Sequence, residues 1–172
     1  EKWKWFSLKE ISNVYTGDDL ILSMVDDGEI PVASHKVENN GVGAMVDKID
    51  NRQLFDCEKT IALADRGCFH ASVQTEDFYI GTRVKALEMK CCVSKGVLIF
   101  IATIVNQETF KYSYGRNCTA GVENVRIKLP VKHNDDGIIF IDDEHTYSDE
   151  GYVPDWQFME DYIKSLPYGD RL

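Results

Sequence analysis

Apolar positions recur along this chain in short bursts separated by turn-forming residues, and only three stretches break that rhythm. The first opens with Ser7-Leu-Lys-Glu10, an S-x-x-E capping box, with Phe6 and Ile11 at the two staple positions. This predicts a capped N-terminal helix, with Gly17 as its stop. Ile30–Ser34, Gly43–Val46, Thr60–Ala64, Ala71–Gln74 and Phe78–Leu87 then read as strands. Asp26-Asp-Gly28, Asn39-Asn-Gly41, Asp65-Arg-Gly67 and Glu76-Asp77 separate them as turns. The second break is Lys95–Gln107, rich in β-branched residues yet with Val97, Ile101 and Ile104 or Val105 at helical spacing; its length predicts a buried helix. Val125–Leu129 alternates with Arg126 and Lys128 as a strand, Asn134–Gly137 is a turn, Ile138–Ile141 is a short strand, and 142–151 is an acidic loop. The third break is a C-terminal helix with Asp155 at its start. Its apolar stripe is Trp156, Met159, Ile163 and Leu166, widened by Phe158 and Tyr162, and Pro167 and Gly169 end it. The pattern predicts one α+β unit: a twisted, mostly antiparallel sheet, a helix at each end and a buried helix near 95–107.

Bulk properties narrow the class. The 172 residues suffice for one domain with a real core, and 44% apolar content excludes disorder as the default. Val97–Val105, the longest largely apolar run, falls far short of the roughly 20 residues that span a membrane. No signal-peptide pattern precedes the first element, and the start on Glu1 rather than Met suggests a piece of a longer protein. Cys57, Cys68, Cys91, Cys92 and Cys118 form no C-x-x-C pair and read as reduced thiols of a cytoplasmic protein. Cys68 and His70 make half of a zinc set at most, so no metal is expected.

The net charge is −10, against the sign that phosphate attraction requires. Its distribution is uneven. Residues 1–51 hold 5 Lys/Arg and 10 Asp/Glu, residues 52–132 hold 12 and 8, and residues 133–172 hold 2 and 11. A basic middle therefore lies between two acidic ends.

The ordered motifs resemble a known family. They are Trp5-Phe-Ser-Leu-Lys-Glu-Ile11 with Gly17; Gly28-Glu-Ile-Pro-Val-Ala-Ser34; Asn39-Asn-Gly-Val42; Thr60-Ile-Ala-Leu63 with Gly67; Phe100-Ile-Ala-Thr-Ile104; Lys111-Tyr-Ser-Tyr-Gly-Arg116; Ile127-Lys-Leu-Pro130; and Pro154-Asp-Trp-Gln-Phe-Met-Glu160 followed by Tyr162-Ile-Lys-Ser-Leu166. In this order they resemble a target-recognition domain of type I restriction-modification specificity subunits, on the branch shared with type II systems of similar build. The resemblance implies sequence-specific recognition of double-stranded DNA as half of a bipartite reader, with no catalytic residues and no cofactor. Methyltransferase and restriction subunits would be separate partners. It also implies a division into a recognition domain, 1–153, and a C-terminal helix, 154–172, that packs on the domain or serves as spacer or dimer helix. One recognition domain is present, so a second would come from the same parent chain or a homodimer.

Base reading needs paired donors and acceptors, whereas phosphate contacts need cations, hydroxyls or free amides. Lys111, Tyr112, Ser113, Tyr114 and Arg116 concentrate these groups in six residues and lead the candidates. Core packing of the two tyrosines is the alternative. Arg66, in a glycine-containing loop, follows, then His35, Lys36 and Asn39. Asn40 reads better as turn scaffold. Arg83 and Lys85 alternate on a predicted strand, as do Arg126 and Lys128, and either pair could face DNA or solvent. Two other functions compete: an acidic interaction module or DNA mimic that binds a basic partner, and a small hydrolase built on Cys68 and His70. No P-loop, dinucleotide fingerprint or methyltransferase signature supports an enzyme.

Overall fold

The computed structural model describes residues 2–112, 118 and 121–171. The chain opens on strand β1 (Trp3–Ser7), which pairs antiparallel with β9 (Arg126–Pro130) and sets Phe6 opposite Ile127. A single helical turn, α1 (Leu8–Ile11), follows. The capping signal is real: the Ser7 backbone N–H donates to the Glu10 carboxylate at 2.5 Å, and Leu8 and Ile11 are buried. The helix does not reach Gly17. The Ser12 hydroxyl donates back to the Leu8 carbonyl at 2.6 Å, and β2 (Ser12–Thr16) pairs with β8 (Val84–Met89) instead. Ser, Asn, Val, Tyr and Thr are weak helix formers, so the ladder wins. Gly17 serves a close approach: a Cβ there would lie 2.1 Å from the Gly81 carbonyl oxygen.

Among the described residues the strands sort into three sheets. The central one runs β2-β8-β5-β6, all antiparallel, with β5 (Thr60–Ala64) buried along its whole length and β6 (His70–Val73) at one edge. A second sheet, β4-β3-β7, pairs β3 (Asp27–Ala33) antiparallel with β4 (Val42–Val46) and parallel with β7 (Tyr79–Ile80). The predicted strand Phe78–Leu87 is thus two strands in two sheets. The Gly81 N–H bonds to Ala33 while Arg83 takes φ +66°, and the turn carries the chain from one sheet to the other.

α2 (Lys95–Asn106) confirms the buried helix; Ser94 caps it and Val97, Leu98, Ile101 and Val105 are fully enclosed. It packs on β6 and on α3 (Trp156–Ser165). The Asp155 carboxylate accepts from the Phe158 N–H at 3.0 Å and caps α3. Only Met159 and Ile163 of the α3 stripe are buried; Phe158, Tyr162 and Leu166 stay substantially exposed. Phe158 and Tyr162 join Trp3 and Phe100 in an aromatic cluster along that side. Ile138–Ile141 forms no strand, only single bridges from Ile139 to His133 and from Ile141 to Tyr152. Neither face there is buried, since Ile138 and Ile141, which would point to opposite sides of a strand, are both exposed. The five cysteines are free thiols. Among the described residues, no helix is long and apolar enough to cross a membrane.

Candidate nucleic-acid interface

Four loops meet at one end of the central sheet, and the hydrogen bonds between them define the site. Parallel pairing of β3 and β7 makes Ser34-His35 and Gly81-Thr82-Arg83 leave the sheet side by side. The β5–β6 turn joins both: the Asp65 N–H donates to the Arg83 carbonyl at 3.2 Å, and the Cys68 thiol donates to the His35 carbonyl at 3.3 Å. The segment after α2 completes the group. The Thr109 hydroxyl donates to the Phe69 carbonyl at 2.9 Å, and the Tyr112 and Phe69 ring centroids are 4.6 Å apart.

His35, Lys36, Arg66, Arg83 and Lys111 are all exposed here. Among the described residues, none of His35, Lys36, Arg66 and Arg83 carries an ion pair, whereas Lys111 contacts the Glu108 carboxylate. Beside them opens a 220 Å³ cavity lined by Val32, Ala44, His35, Lys36 and Thr82, among others, so the surface is concave. Acids lie nearby as well, among them Glu38 and Asp19, which accepts from the Thr82 hydroxyl at 3.0 Å.

Other candidates have structural employment. The Asn39 amide points at the Val42 carbonyl 3.4 Å away within its own turn. Asn40 bonds the Val73 carbonyl at 2.8 Å and pins the loop to β6. Tyr112 is half-buried against Phe69, and burial pushes its phenol up, with the Cys118 thiol adding to the effect. Ser113, Tyr114 and Arg116 lie outside the described residues. Lys85 is no surface cation: it pairs with Asp65 at 3.1 Å, with both side chains largely buried. Arg126 and Lys128 sit on β9, in a different sheet.

Internal pairing also accounts for much of the basic middle. Arg52 donates to the carbonyls of Asp18, Asp19 and Ile80, while Lys59 and Lys95 face Glu88 and Glu58. What the sequence could not reveal is the set of long-range pins beneath the loops. The Asn106 side chain, for example, bonds both the N–H and the carbonyl of Ala71, at 2.7 and 2.9 Å. Nothing in local pattern marks that asparagine.

At Cys68 and His70 both shifts run against a nucleophile and base. Burial, then the Glu38 carboxylate, pushes the Cys68 thiol up, and burial lowers His70. An activated cysteine requires the opposite shift. Asp56, Cys57 and Asp77 offer three potential metal donors within 4.8 Å, but Asp77 already caps the Cys57 N–H and Asp56 the Glu58 N–H.

The model of the type I restriction modification DNA specificity domain matches residues 1–141. The specificity subunit S.BcgI of a type II restriction enzyme from Heyndrickxia coagulans is 24% identical over 169 residues, 96% of this chain and 44% of that protein. The S subunit of the type I restriction-modification system from M. genitalium superposes with TM-score 0.55 at 12% identity, covering 74% of this chain and 34% of its own. The HsdS subunit from Thermoanaerobacter tengcongensis gives 0.57 at 14%, covering 75% and 33%. These structures share the fold, and the chain spans less than half the length of each of these relatives. It belongs to the type I restriction modification DNA specificity domain family.

Proposed function

We propose that this chain reads a short stretch of duplex DNA and directs methyltransferase and nuclease subunits without catalysing either reaction. One observation carries the reading: three loops far apart in sequence bring the exposed donors of His35 and Lys36, of Arg66 and of Arg83, none in an ion pair, to one end of the central sheet, where His35 and Lys36 line a concavity. Arginines provide the forked donors that match guanine edges, and the remaining cations suit phosphates. Lys111, Tyr112, Ser113, Tyr114 and Arg116 are DNA contacts as well in our reading, and of these Tyr112 is seated against Phe69.

The relatives' greater length supports a parent protein with a second recognition domain, or a pair of such chains, that supplies the other half-site. In that assembly residues 1–153 do the reading. Residues 154–172 pack on that domain or serve as spacer or dimer helix, for which the exposed faces of Phe158, Tyr162 and Leu166 offer a surface. The acidic end of the chain, with 2 Lys/Arg against 11 Asp/Glu in residues 133–172, favours a second reading, capture of a basic protein.

Selection from random duplexes at low salt, followed by titration of the winners, separates the two. DNA reading requires enrichment of a defined motif and binding that weakens steeply with salt. Failure to retain any duplex at low salt sinks it.

A further inference from the structure

The buried Asp65–Lys85 pair lies beneath the candidate DNA surface and joins two of its four loops. Asp65 precedes Arg66 in the β5–β6 turn, and Lys85 follows Arg83 by two residues on β8. Their side chains meet at 3.1 Å, with 4% and 12% of their surfaces exposed, while the Asp65 N–H holds the Arg83 carbonyl at 3.2 Å. Side chain and backbone of one residue thus clamp the turn bearing Arg66 to the turn bearing Arg83. Cys118 is buried beside the pair and hydrogen-bonds Tyr112; burial first, and the Asp65 charge among the further causes, pushes its thiol up.

For stability alone this arrangement is poor. Removing two charges from water is costly, and the Asp65 Oδ1 is buried with no hydrogen-bond partner. Well-packed apolar residues of similar volume often serve a fold as well or better than such a pair. What the pair supplies is direction. A carboxylate and an ammonium in a dry setting accept few geometries, so the spacing of the two arginines is fixed before any ligand arrives.

We infer that Asp65 and Lys85 are positioning residues that set Arg66 and Arg83 in fixed register for base reading. The inference rests on the DNA reading proposed above. Neither residue touches DNA; each acts through the arginine beside it.

The test compares the full chain with Asp65→Leu/Lys85→Met, which replaces the pair by apolar side chains, and with Lys85→Met alone. Two duplex pools serve as probes: one selected from random sequence by the unmodified chain, and one unselected. Circular dichroism and thermal melting establish that the double variant folds. The expected result is that it binds the unselected pool at low salt within two-fold of the parent, because its exposed cations are intact. Its preference for the selected pool falls at least ten-fold. Hydrogen exchange should quicken in residues 65–70 and 81–84 while the amides of α2 stay protected. Lys85→Met alone strands a buried carboxylate and should lower thermal stability more than the double change. If the double variant folds and keeps the parent's preference, or if exchange in the two turns is unchanged, the inference falls alone. If the unmodified chain binds neither pool, the DNA reading falls and takes this role with it.

Discussion

Arg83 holds a left-handed backbone, φ +66°, in which side chains other than glycine's are strained. The backbone there serves the turn between two sheets and offers its carbonyl to the Asp65 N–H, whereas the side chain stays exposed with no ion pair, so the strain is not repaid by any side-chain contact. Arg83→Gly relieves the strain while adding freedom to the unfolded chain, two effects of about 1 kcal/mol that oppose each other. The melting temperature should therefore move by only a few degrees while affinity for a selected duplex drops roughly ten-fold or more. A large loss of melting temperature would mean that Arg83 works for the fold. Arg66→Ala should leave folding untouched as well, and its salt dependence assigns the partner. A phosphate contact removes about 0.9 from the slope of log affinity against log salt, whereas a base contact relaxes sequence preference at one position. These two arginines look alike in sequence. Lys85, two positions from Arg83, looks like them too and is internal, because the cross-strand neighbour that neutralises it is set by register and not by local pattern.

At the scale of elements, Gly17 shows how a sequence signal can be sound and its meaning wrong. As a helix stop it would tolerate many replacements; as the point where two backbones touch it tolerates none. Gly17→Ala places a methyl 2.1 Å from the Gly81 carbonyl oxygen, and overpacking against backbone costs about 1–3 kcal/mol. Chemical denaturation should show that loss, and a neutral outcome would restore the stop reading. The α+β class, the helices Lys95–Asn106 and Trp156–Ser165 and β5 were legible, because each has a strong period or a continuous apolar run bounded by turns or caps. The split of Phe78–Leu87 between two sheets was not, since it depends on which carbonyl Gly81 meets. The junction between the acidic loop and α3 supplies a pH test. The Tyr147 ring lies 5.7 Å from Trp156, and burial, then Cys91, pushes its phenol up to about 12. A group whose folded pKa is raised contributes stability that is complete below the unfolded value near 10 and is lost as pH climbs through the folded one. Stability should therefore decline between about pH 10 and 12 in the parent, and less so in Tyr147→Phe, as followed by denaturant midpoints. Equal declines would show that Tyr147 titrates normally.

For the molecule as a whole, the sign of the net charge and the sign of the proposed surface oppose each other. A chain of charge −10 repels DNA at long range, so a concave cationic end can act only within about a Debye length, roughly 8 Å at physiological salt. The basic middle pointed toward that end, but only in part. Several of its cations are spent on internal carboxylates and carbonyls, and His35 and Lys36 reach the surface from the acidic first segment. A lone chain should bind weakly for this reason, and also because half of a bipartite site forgoes the gain of two linked contacts. The acidic loop makes the balance measurable. Asp143, Glu144 and Glu150 are exposed, and none of their side-chain carboxylates caps the loop, unlike that of Asp142, which accepts from the Glu144 and Thr146 N–H groups. The triple change Asp143→Asn/Glu144→Gln/Glu150→Gln removes three negative charges and leaves the concave surface intact. Association with a selected duplex should accelerate at low salt, and the difference should vanish as screening rises, with the dissociation rate unchanged throughout. A change in dissociation would place the acidic loop at the interface itself. No change at any salt would mean that the field of the molecule plays no part in how it meets DNA.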